Sequence, residues 1–280
     1  MSQHGGISTL KGVRYEVQFG VYKMPDLLEG LITAIRYQPP TSALSSDQLP
    51  QKVFVDDYSV LDAGEKRSFF QVKHNSKDAS WTINRLITES VLQQFWKQHY
   101  MEPECNLFFV SDIPAPNLKN LAEKARQSIS LGEFEQTLNE QMQNDSRQII
   151  NKLEINLQDI WLLMKAVDFI LLTEVQMQTR ILDYAGGRYS DPEKFALVLK
   201  DLIEKTAGSL LSKDLLEKYL DEKGLFRLSI SLTEDIATIF RQSSGSLRAY
   251  KSDIIGVHIL RGETEKLEQW IRFRCSCSSV

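Results

Sequence analysis

Apolar positions recur at helical spacing through the N-terminal stretch: Val13, Val17, Val21 with Phe19 and Tyr22, then Leu27, Leu28, Leu31 and Ile35. This spacing predicts one or two helices, with Pro25 opening a second or kinking the first. A Pro/Ser-rich loop, RYQPPTSALSSDQLPQ, follows. The period then shortens to two over VFVDDYSVLDAGEKRSFFQVKH, which predicts a hairpin of residues 53–62 and 67–74 about an AGEK turn. The segment TINRLITESVLQQFWKQHY is amphipathic, with Ile83, Leu86, Ile87, Val91, Leu92 and Phe95 on its inner side. The continuous apolar run CNLFFVSD, bounded by turn residues, has the pattern of a buried strand. Helix, hairpin, helix and buried strand together predict an α/β domain.

Beyond Pro116 the pattern is helical, over residues 117–128, 133–152, 159–185, 191–207 and 212–223. Asp191-Pro192-Glu193 starts one of these helices, and Gly186-Gly187 stops the one before. The expected organisation is an α/β core over residues 1–115 and a mostly helical region over 116–280.

Bulk composition changes this picture little. The chain has 280 residues, a net charge of -4 and a pI near 5.7, so it does not hold nucleic acid by overall positive charge. The run IWLLMKAVDFILL carries Lys165 and Asp168 and is too short to span a bilayer, so no membrane association is expected. MSQHGGISTLKG lacks the apolar stretch of a signal peptide, and three cysteines make no disulfide framework; both point to the cytoplasm. Cys275 and Cys277, without companion ligands, read as a plain tail.

The polar residues of the hairpin are the candidate chemistry. Gln71 and Lys73 share one strand face, while Phe70 and Val72 take the other. Asp56 and Asp57 lie on opposite faces of the partner strand, so only one of them can join Gln71 and Lys73. A carboxylate beside a carbonyl oxygen and an ammonium suits a divalent-metal hydrolase, in which Mg²⁺ polarises a phosphoryl oxygen and activates water. Glu16 on the first helix is a further candidate carboxylate. The same residues also suit a plain solvated edge, where lysine guards against aggregation.

In order, GGISTLKGVRYEVQF, VDDYSV with FFQVKH, FWK and LFFVSD resemble a branch of the PD-(D/E)xK nucleases. That branch is the double-stranded DNA endonuclease domain at the N-terminus of bacterial antiphage effectors, including those associated with CD-NTases and with STAND or NACHT ATPases. The resemblance covers roughly residues 4–112. It implies a restriction-endonuclease-like core of a mixed sheet flanked by helices, and a metal-dependent endonuclease cleaving double-stranded DNA. It also implies Asp57, Gln71 and Glu16 as ligands of Mg²⁺ or Mn²⁺, and Lys73 as the catalytic lysine. The further acidic residue that the family often carries upstream is replaced here by Val53, Phe54 and Val55.

Lys11, Arg14, His74, Lys77 and Arg85 are candidates to meet phosphates. Trp81 and Trp96, at helix-associated positions, read as core. No glycine-rich phosphate loop of the P-loop type occurs. The C-terminal GVHILRGETEKLEQWIRF resembles the approach to the P-loop of STAND and NACHT proteins. That leaves two organisations open: a nuclease module that works as a homo-oligomer or as part of a larger sensor assembly, or a self-contained protein. The rival function is a catalytically inactive nuclease-fold module that binds a partner protein or DNA as an adaptor.

Overall fold

Gly30, at φ +73°, ends the first helix, which runs as α1 from His4 to Leu28 straight through Pro25. Only glycine enters this left-handed backbone region without penalty. In the computed structural model, which describes residues 4–38, 53–55, 57–75 and 79–225, a strand follows at once: β1 (Ile32–Tyr37). The predicted helical register of Leu31 and Ile35 is thus broken, and Ile35 is a buried strand residue. The hairpin is β2 (Tyr58–Asp62) and β3 (Arg67–Lys73), with residues 53–55 outside the strand. Its turn is held by Asp62 Oδ1, which accepts from Gly64 N and Lys66 N, both at 2.8 Å.

The predicted helix over residues 82–100 is two, α2 (Ile83–Thr88) and α3 (Val91–Met101), parted at Ser90 with φ 62°. The buried strand is β4 (Asn106–Ser111). Then come α4 (Pro116–Gln127), α5 (Leu131–Thr137), α6 (Glu140–Leu153) and α7 (Leu157–Ala166). The apolar run IWLLMKAVDFILL is not one helix: after α7 it becomes β5 (Val167–Leu171), and α8 (Glu174–Ala185) follows. The chain continues through α9 (Pro192–Lys205), β6 (Leu210–Ser212) and α10 (Lys213–Glu222).

The six strands form one mixed sheet, ordered β5-β4-β3-β2-β1-β6. β6, β1, β2 and β3 pair antiparallel, whereas β3, β4 and β5 run parallel, with Lys73, Ser111 and Leu171 level at their ends. The expected mixed sheet flanked by helices is present. The boundary at residues 115 and 116 does not divide it, because β5 and β6, both beyond that point, form its two edges. One face carries α1, α8, α9 and α10, and the other α2 through α7. Among the described residues, no helix is long and apolar enough to cross a membrane.

α1 is buried between the sheet and α8 and α9, which explains its apolar residues on nearly every side. Tyr58 crosses it at Gly20. A Cβ on Gly20 would overlap the Tyr58 hydroxyl and meet Ile203 Cδ1 at 3.0 Å. Gly20→Ala is therefore expected to destabilise by about 1–3 kcal/mol. A thermal melt of the variant at or above the wild-type midpoint would contradict this packing.

The outer edge of β5 is blunted by side chains. Arg126 Nη1 donates to the Val167 carbonyl at 2.5 Å, and Asp168 Oδ1 accepts from Phe169 N at 2.8 Å. These contacts occupy edge groups that would otherwise invite another strand.

Candidate functional site

Asp57 lies one step beyond the Tyr58↔Phe70 pair of β2 and β3, which brings its side chain to Gln71. Its Oδ2 accepts from Gln71 Nε2 and from Val72 N, both at 2.6 Å, and Lys73 Nζ stands 3.6 Å away. Asp57 and Gln71 are buried, while Lys73 is partly exposed. The hairpin thus assembles three of the four expected site residues. Asp56 lies outside the described residues, so the comparison of the two aspartates rests on Asp57 alone.

Glu16 reaches the same corner from α1. The Tyr58 hydroxyl donates to the Glu16 carbonyl at 2.9 Å, and the Tyr37 and Tyr58 rings stack with centroids 4.9 Å apart. Burial, then the charges of Glu16, Asp57 and Glu204, push the Tyr37 hydroxyl up to about 12. Tyr58 is raised by burial and by Tyr37, Asp57 and Glu16.

As arranged, the hydrogen bonds within the hairpin compete with a divalent cation for Asp57 Oδ2. Asp57 Oδ2 accepts two hydrogen bonds and faces the Lys73 ammonium at 3.6 Å, and a metal at that oxygen would compete with all three. Gln71 Oε1 is buried without a hydrogen-bond partner, a single neutral oxygen. Among the described residues, no group of three or more His, Cys, Asp or Glu side chains is placed to hold a metal.

The basic residues expected to face phosphates are mostly engaged with acidic groups. Arg14 Nη2 lies 3.6 Å from Glu174 Oε2. Arg85 stacks 3.8 Å over the Trp81 ring and bonds Glu89 at 2.8 Å. His74 Nδ1 lies 2.7 Å from Asp112 Oδ2, close enough for an ion pair but off the hydrogen-bond direction. Lys11 is exposed, and Lys77 lies outside the described residues, as do Cys275, Cys277 and the C-terminal segment.

Asp112 is the polar residue here that the sequence pattern did not single out. It follows β4, and its Oδ1 accepts from Asn75 N at 3.0 Å. Trp81 Nε1 donates to Ser111 Oγ at 2.7 Å, fixing the strand end that carries Asp112. The available signal was the Ser-Asp pair closing an apolar strand, level with His74 in the next parallel strand.

Four buried groups make the fold sensitive to alkali. Burial and Glu102 raise the Cys105 thiol from 9.0 to about 12, against a smaller opposing pull from Arg67 and Lys66. Burial also raises Tyr15, helped by Asp112 and Glu174, and Tyr37 and Tyr58 shift the same way. Each keeps its proton in the fold where the unfolded chain has lost it. Their contribution is full below about pH 9 and is lost as pH rises toward 12. Lys23, lowered by burial despite Asp26, acts with the opposite sign as one group against four. The urea midpoint is expected to fall between about pH 8 and about pH 11. A flat or rising profile would contradict this balance.

No family model matches the sequence, and no curated protein matches it. Among solved structures, the chain is similar to a Cap4 SAVED/CARF-domain containing receptor of Acinetobacter baumannii, at 15% identity and a TM-score of 0.46. That likeness covers 75% of this chain and 47% of the receptor. The same receptor with the cyclic trinucleotide 3'3'3'-cAAA matches at 14% identity and a TM-score of 0.44, over 75% of this chain and 45% of that one. The Cap4 receptor of Moraxella osloensis matches at 12% identity and a TM-score of 0.43, over 74% and 47% of the two chains. The chain spans less than half the length of each of these receptors. All of these structures are SAVED/CARF-domain containing receptors, and the Acinetobacter baumannii receptor is also seen with the cyclic trinucleotides 3'3'3'-cAAA and 2'3'3'-cAAA. This finding corrects the assignment to the PD-(D/E)xK nucleases, and with it the reading of the chain as a metal-dependent endonuclease of double-stranded DNA.

Proposed function

We propose that the chain is a non-catalytic protein-interaction module on a restriction-endonuclease-like core, serving as one part of a larger receptor assembly in antiviral defence. The observation that carries this reading is the closure of Asp57 by Gln71, Val72 and Lys73. A buried carboxylate oxygen that accepts two hydrogen bonds and faces an ammonium of its own chain serves as a structural hub of the hairpin. The core is supported by the order of α1, antiparallel β1 to β3, the α2–α3 pair, and β4 parallel to β3.

A partner protein, rather than DNA, is supported by charge. The chain carries a net charge of -4, and Arg14, His74 and Arg85 lie against Glu174, Asp112 and Glu89. Such pairing reduces the positive charge that these groups offer to phosphates. The receptor setting is supported by the likeness to the Cap4 SAVED/CARF-domain containing receptors, of which the chain covers less than half.

The test incubates the purified chain with supercoiled plasmid and Mg²⁺ or Mn²⁺, alongside calorimetry with each metal. The expected result is intact plasmid and no saturable heat. Nicking or linearisation that disappears in Lys73→Ala would overturn the proposal and restore a hydrolase.

A further inference from the structure

We draw no further inference here: the strongest candidate, the His74–Asp112 pair past the ends of the parallel strands β3 and β4, has its carboxylate oxygens engaged by His74 and Asn75, and nothing in the structure shows what the remaining face of the imidazole would meet.

Discussion

Asp57→Ala is expected to remove about 3–5 kcal/mol of stability, seen as a large fall in the urea midpoint. The cost comes from what the substitution leaves behind. Gln71 Nε2 and Val72 N lose their acceptor inside the protein, and Lys73 loses its counter-charge. An unsatisfied buried donor costs about 1–3 kcal/mol, and two are stranded together. Asp57→Asn should fall between wild type and alanine, because its oxygen can still accept from Val72 N while its amide faces other donors. This separates a structural role from a catalytic one. A residue whose main task is to hold a metal can be removed with the fold intact, so an unchanged midpoint for Asp57→Ala would sink the hub.

Trp81→Ala is expected to cost a similar amount, about 3–5 kcal/mol, through the cavity it leaves. Trp81 is 1% exposed, packs edge-on against Phe109 with ring centroids 5.2 Å apart, and lies under the Arg85 guanidinium. Its indole also donates to Ser111 Oγ, so the loss reaches the turn that carries Asp112. Trp81→Phe should cost less, since it keeps a ring against Phe109 and loses only the hydrogen bond and part of the volume. Thermal melts of the two variants give the comparison; a Trp81→Phe midpoint no higher than that of Trp81→Ala would contradict the ring packing against Phe109.

The sequence made much of the α/β core readable, because its elements are short and strongly patterned. CNLFFVSD could only be a buried strand, and Gln71 and Lys73 share a face by the pleat alone. What stayed hidden depends on pairing at a distance. Val167–Leu171 continues the apolar run of α7 with no helix-ending glycine or proline between them, and becomes a strand because β4 lies beside it. β1 was hidden for a related reason: its apolar residues continue the register of α1, and only Gly30 marks the change. In the site, the pattern placed one of Asp56 and Asp57 beside Gln71, and only the family resemblance pointed to Asp57. The pattern could not show that the glutamine would turn its amide to the carboxylate and seal the pair.

The contacts that occupy the edge of β5 limit how this sheet can grow. An open sheet with two bare edges can add copies at both ends and form a fibre. Here Arg126 and Asp168 occupy edge groups at one end, and among the described residues β6 is the other edge of the sheet. Joining two copies through β6 would put a closed end on both outer sides, so sheet addition would stop at a pair.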